Sequence, residues 1–255
     1  MDLKILGCHG GETPKHRTSS FLIDDKLAID AGAITSMMSL EDQRRIEAVL
    51  VSHAHMDHVR DLATLADNRC QQDGPPLHIV GTPETLDSLR KHFFNNRLWP
   101  DFSRIRTKSG PTIRFKAIAP DKTAIVAGLE VRPVLVSHTI ETSGFIIRGK
   151  RGSIVYSGDT GPTRKLWQAV NEVKDLRALL MEVSFPNEQS RLARLSGHHT
   201  PESLGKELNK LKDHHDLPIL LYHIKPVFQP KVEKQLAKIR GRNLTVLRLG
   251  DHFRL

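Results

Sequence analysis

The chain has 255 residues, 38% of them hydrophobic and 26% charged, and its 38 Lys and Arg outnumber 29 Asp and Glu for a formal charge of +9. That composition fits a soluble globular protein able to bury a sizeable core, and it argues against a disulfide framework or a membrane-spanning bundle. The positive balance favours phosphate-bearing partners without choosing between small and polymeric ones.

The first fifteen residues, MDLKILGCHGGETPK, carry an acidic side chain at position 2 and a short apolar run. They lack the pattern of a secretory signal, so a cytoplasmic location is expected. Cys8 and Cys70 form no C-x-x-C pair and are expected as free thiols. β-branched or apolar runs bounded by Gly, Pro, Asp or Ser predict strands at 3–7, 19–24, 26–32 and 47–53. A helical pattern follows at 59–68, then a strand at 77–81. A helix is predicted over 82–96, where Thr82 caps and Pro83 takes the first helical position. Strands at 112–118, 129–138, 143–149, 152–159 and 178–185 come next. A second Thr-Pro-Glu start predicts a helix over 200–213, followed by a strand at 218–226, a helix at 229–241 and a strand at 244–250. Strands with interspersed helices and no linker or repeat predict one layered α/β domain spanning 1–255.

The stretch VSHAHMDHVRDL places His53, His55, Asp57 and His58 within six residues directly after an apolar strand. Crowding imidazoles and a carboxylate is costly unless a cation compensates, and these are ligand types of a borderline divalent metal. Further metal-competent residues close other apolar strands: His138 after VRPVLVS, Asp159 after GSIVYSG, His223 after PILLY. Strand ends on one edge of an α/β sheet are where ligands converge. Seven ligands exceed one tetrahedral ion and suit two ions sharing a carboxylate. His53, His55 and His138 are assigned to one, Asp57, His58 and His223 to the other, and Asp159 to both. Zinc is the first expectation, and Mn2+ and Fe2+ suit the same donors. His9, His16, His78, His92, His214, His215 and His252 are read as structural or solvated.

Over essentially its full length the chain resembles the metallo-β-lactamase superfamily, through HxHxDH followed by a His, an Asp and a His at strand ends. Within it the chain is more similar to the class II 3′,5′-cyclic-nucleotide phosphodiesterases, through LGCHGG, LAIDAG, HFFNNRLWPDF, YSGDTGPT, MEVSFPNEQS, SGHHTPESLGKEL and YHIKP. The resemblance implies a four-layer αββα sandwich and hydrolysis of cAMP or cGMP to the nucleoside 5′-monophosphate by a hydroxide held between the ions. One departure is visible: the family segment usually reads Gly-His-Leu-Thr-Pro, whereas here it is Gly197-His198-His199-Thr200-Pro201.

The expected catalytic side chains are Asp57, which is also a ligand, His198 and Glu182. His198 is assigned to protonate the departing 3′-oxygen, because histidine titrates near neutrality. Glu182 is assigned to orient it, as similar pairs do in related RNA-processing endonucleases. For substrate binding, Phe94 and Trp99 fit either a base-stacking wall or the core, with His199 and Thr200 beside them. Gly10 and Gly11 fit either a close approach of backbone to the phosphate or a tight turn. The expected partner is a small cyclic nucleotide, with no membrane, and a homodimer is compatible with the sequence. The competing reading is an RNA phosphodiesterase of the tRNase Z type, against which stands the lack of a long Gly- and basic-rich arm. Thioester or lactone hydrolysis also fits the metal set.

Overall fold

The computed structural model describes residues 1–212 and 216–255. His214, His215 and the last position of the helix expected over 200–213 lie outside the described residues. Two seven-stranded sheets dominate the chain. In the first the strand order is His252–Arg254, Asp2–Gly7, Ser20–Ile23, Leu27–Ile29, Ala48–Leu50, Leu77–Gly81 and Ile113–Ala117. In the second it is Asn243–Val246, Pro218–Tyr222, Leu176–Glu182, Gly152–Tyr156, Ser143–Gly149, Leu129–Leu135 and Ala124–Val126.

The strands are apolar almost throughout because both faces of each sheet are covered. Phe21, Ile23, Leu27, Ile29 and Leu50 point to the layer between the sheets, where they meet Phe145, Ile154, Tyr156, Leu180, Leu220 and Tyr222. The alternate residues Leu22, Ala28, Val49 and Ile79 face outward into a second layer with Leu62, Leu65, Leu86 and Leu89 of the helices Asp61–Gln71 and Pro83–His92. On the other sheet Val155, Leu179, Ile219 and Leu221 pack under Leu166, Leu204 and Val232, from the helices Lys165–Asn171, Pro201–Leu208 and Gln229–Leu236. Period-two alternation therefore builds three apolar layers between four structural ones. Burying each large side chain contributes roughly 1.5–3 kcal/mol, so these layers hold the short strands in place. Among the described residues no helix is long and apolar enough to cross a membrane.

Both Thr-Pro starts are helix N-termini: Thr82 accepts from Thr85 N at 3.3 Å, and Thr200 forms a capping box with Ser203. The helix expected over 82–96 stops at His92. Phe93 and Phe94 turn down into the outer apolar layer instead of continuing the helical repeat. Helices Ile34–Met37, Leu40–Arg45, Lys165–Asn171 and Ser190–Leu195 were not anticipated, being one or two turns long and too short for a periodic signal.

The sheet topology gathers the chemistry on one edge. Gly152–Tyr156, Leu176–Glu182 and Pro218–Tyr222 run parallel, so Asp159, Glu182 and His223 emerge side by side. Leu129–Leu135 lies two antiparallel pairings away and brings His138 to the same edge. Leu27–Ile29 and Ala48–Leu50 are likewise parallel and deliver Asp30 and His53. Backbone bonds join the two edges, from His223 N to Cys8 O at 2.7 Å and from Ser143 N to Ser52 O at 3.0 Å.

Candidate metal centre

Four of the imidazoles at this edge, His53, His58, His138 and His223, have one nitrogen held from behind. Asp30, fully buried at the end of its strand, accepts from His58 Nδ1 at 2.7 Å, from Ser52 N and Oγ at 2.8 Å each, and from the Tyr156 hydroxyl at 2.6 Å. A carboxylate only accepts, so His58 keeps a proton on Nδ1 and Nε2 is the nitrogen left to a cation, be it a proton or a metal. Ser52 Oγ gives its proton to Asp30 and so accepts from His53 Nδ1 at 3.0 Å, which bares His53 Nε2. His138 Nδ1 donates to Gly197 O at 3.0 Å, which bares its Nε2. His223 Nδ1 lies 2.9 Å from Ser184 Oγ.

The freed nitrogens face one another in two groups. His55 Nδ1 is 3.0 Å from His53 Nε2 and 3.2 Å from His138 Nε2. His58 Nε2 and His223 Nε2 are 3.4 Å apart, and both lie 3.2 Å from Asp159 Oδ2. Asp57 Oδ2 stands 3.3 Å from His223 Nε2 and 3.8 Å from His58 Nε2. Asp159 Oδ2 is also 3.9 Å from His53 Nε2, which places the carboxylate between the groups. Its Oδ1 is buried without a hydrogen-bond partner among the described residues. Converging lone pairs and an orphaned carboxylate oxygen suit cations and little else, and these donors fit divalent metal.

Electrostatics agree with that reading. Burial, then the neighbouring His58, hold His53 well below the ordinary imidazole range, and burial likewise lowers His55 and His138. For His58 burial acts downward but Asp159 and Asp30 outweigh it, so the ring is held charged when no other cation is present. Burial opposes ionisation of Asp159, yet His223 and His58 keep its carboxyl well below the usual range.

Beside the donors lies a second unit. His198 stacks on His223, with ring centroids 5.1 Å apart, and meets His138 edge-on at 5.0 Å. Its Nδ1 is 3.4 Å from Glu182 Oε1 and 3.3 Å from Ser184 Oγ. Glu182 is fully buried; burial, with Asp159 adding, pushes its carboxyl up to about 7. It accepts from His199 N at 2.9 Å and Ser184 Oγ at 2.9 Å. Gly197, at φ +67°, makes this packing possible, since a Cβ there would lie 2.8 Å from His138 Nδ1.

The substrate-binding expectations fare unevenly. His199 is fully buried and turns its Nδ1 to Ser203 Oγ at 3.0 Å, so His198 and not His199 faces the donor groups. Phe94 is 2% exposed and packed against Phe93 and Phe115, which leaves no open face for a base. Trp99 is half-buried against the same layer. Thr200 spends its hydroxyl on the helix cap, though it borders a cleft of about 320 Å³ that His198 also lines. Gly10 serves a close approach of another kind: a Cβ there would lie 2.5 Å from His223 O. Asp30 and Ser184 were missed as site residues. The available signals were the motifs that contain them, LAIDAG for Asp30 and MEVSFPNEQS for Ser184.

Residues 29–224 match the family described as Beta-lactamase superfamily domain. The chain is 30% identical to a probable 3′,5′-cyclic-nucleotide phosphodiesterase of Yersinia pestis, with 90% of this chain and 79% of that protein aligned. It is 28% identical to a 3′,5′-cyclic-nucleotide phosphodiesterase of Aliivibrio fischeri, over 98% of this chain and 92% of that one. The crystal structure of unliganded yeast PDE1 superposes with a TM-score of 0.83 at 20% identity, covering 98% of both chains.

Proposed function

The chain belongs to the beta-lactamase superfamily, a divalent-metal-binding hydrolase fold, and we propose that it hydrolyses 3′,5′-cyclic nucleotides to nucleoside 5′-monophosphates. The observation that carries the chemistry is Asp159, set between two donor groups with the His198–Glu182 pair alongside. Its relatives, aligned along nearly the whole chain, support the substrate class.

In this reading His53, His55 and His138 hold one ion, Asp57, His58 and His223 hold a second, and Asp159 serves both, with zinc preferred. Bound divalent ions lower the pKa of water and neutralise charge developing on phosphorus. Asp30, Gly197 O, Ser52 and Ser184 fix the imidazole tautomers so that the rings need no reorganisation. His198, with Nδ1 engaged by Glu182, turns Nε2 to the substrate and protonates the 3′-oxygen as the phosphorus–oxygen bond breaks. Asp57, 30% exposed, stands at the entrance, where it is both ligand and acceptor for an incoming water.

Residues 1–255 act as one catalytic unit, a reading supported by the pairing of His252–Arg254 with Asp2–Gly7 in the first sheet. The unpaired thiols of Cys8 and Cys70 suit a reducing cytoplasm. A screen of the metal-loaded protein against cAMP, cGMP and an aryl phosphodiester tests the function. Turnover of the cyclic nucleotides supports it, and rapid aryl-ester cleavage with none of theirs overturns the substrate assignment.

A further inference from the structure

We propose that Lys225 is a phosphate-holding residue, its ammonium placed to take a non-bridging oxygen of the phosphodiester substrate and of its 5′-phosphate product. The inference rests on the phosphodiesterase reading above.

Lys225 lies two residues beyond His223 and is half-buried, with its backbone fixed by a bond from its N–H to Ser184 O at 3.2 Å. Its Nζ stands over the Phe185 ring, 5.9 Å from the centroid. Phe185 in turn packs against His198, with centroids 5.8 Å apart, and against Phe228 at 6.0 Å. Phe185 therefore lies in contact range of both the ammonium and the imidazole assigned to the leaving oxygen, and the lysine charge acts on that imidazole. Among the described residues no carboxylate comes within ion-pair distance of Nζ, in contrast to Lys210, which pairs with Glu207 at 2.5 Å.

A half-buried cation without a partner carries a cost. Beside donors that attract divalent metal the cost rises, because the loaded centre is itself positive and repels the ammonium. An anion lying between the ions and Lys225 reverses the sign of every one of these terms. The phosphodiester has one negative charge and the 5′-phosphate product up to two, so Lys225 favours the liganded site over the empty one. Its ammonium over Phe185, which itself packs on His198, ties the charge to the same cluster of rings and adds orientation to charge. The opposite role, in which Lys225 merely offsets Asp57, Asp159 and Glu182, predicts the reverse response to substitution.

The test compares the zinc-loaded protein with its Lys225→Gln and Lys225→Arg forms. Calorimetric titration with inorganic phosphate and with 5′-AMP gives affinities at two salt concentrations, and elemental analysis gives bound metal. The expected result for Lys225→Gln is about 10-fold or greater loss of affinity for both anions, in the range of one charge-assisted hydrogen bond. Metal should be retained at least as tightly, the salt dependence should flatten, and Lys225→Arg should restore most of the binding. Unchanged phosphate affinity in Lys225→Gln, or loss of metal from it, overturns the inference. Should phosphate binding respond as expected while cAMP is not turned over by the unaltered protein, Lys225 stands as an anion ligand and the cyclic-nucleotide reading alone fails.

Discussion

His58 donates to Asp30 across 2.7 Å, and the same carboxylate holds Ser52 and Tyr156, so a single buried anion ties the first sheet to the second behind the donor groups. Residues behind metal ligands typically change metal affinity by 10- to 100-fold. Asp30→Ala should weaken metal by about that factor, measured by competition with a chelator. It should also leave the Tyr156 hydroxyl and Ser52 without their acceptor, lowering the melting temperature. An Asp30→Ala protein with unaltered metal affinity would remove Asp30 from the site.

The adjacent histidines should separate cleanly. His198→Ala removes the group stacked on His223 and lying 3.4 Å from Glu182, and kcat should fall by roughly 10²- to 10⁴-fold with metal content unchanged. His199 is sealed in the core, and its Nε2 has no partner among the described residues. A buried unsatisfied nitrogen costs about 1–3 kcal/mol, which offsets the loss of the bond to Ser203. His199→Leu should therefore retain turnover and melt at the same or a higher temperature. Equal losses of kcat in the two variants would contradict the assignment of His198.

The contrast between these neighbours marks what could be read in the sequence. Ligands at the ends of apolar strands were legible because a strand end is a place, and parallel strands put such places side by side. His53, His138, Asp159 and His223 needed no knowledge of packing. Asp30 meets Tyr156 across 126 positions, and Ser184 meets His223 across 39, through contacts that no local pattern encodes. Phe94 is open in the sequence: HFFNNRLWPDF carries the same aromatic content whether its rings face a base or the core, and burial under the outer helices decides for the core.

Gly10 gives a steric test of the join between the sheets. A Cβ there would lie 2.5 Å from His223 O and 2.9 Å from His223 Nδ1, closer than real contacts allow. His223 already occupies φ +70°, a conformation costly for a residue with a Cβ, so it has little freedom to yield. Gly10→Ala should fold, because the apolar layers lie elsewhere, but should lose metal from the group containing His223 before the group containing His53. Substoichiometric metal with near-native circular dichroism is the expected signature, and full loading would refute it.

Acid should destabilise the metal-free protein in a definable window. Burial, then the charge of His16, lowers His9 from its ordinary 6.5 to about 4. The unfolded chain binds this proton first as pH falls, so the stability that neutral His9 contributes is complete above about 6.5 and is lost on the way down to about 4. Burial lowers His53, His55, His138, His198 and His199 in the same direction, and each adds to the loss. His58 opposes them: raised above 6.5, it contributes stability below that value, which wanes as pH rises through its folded pKa. Five lowered rings around the site and His9 outnumber that one. Melting temperature followed from pH 7.5 to 4.5 with a chelator present should fall steeply below 6.5. Saturating zinc should shift the fall to lower pH, because metal and proton compete for the same nitrogens. A flat profile in the metal-free protein would mean that these rings are not held neutral by the fold.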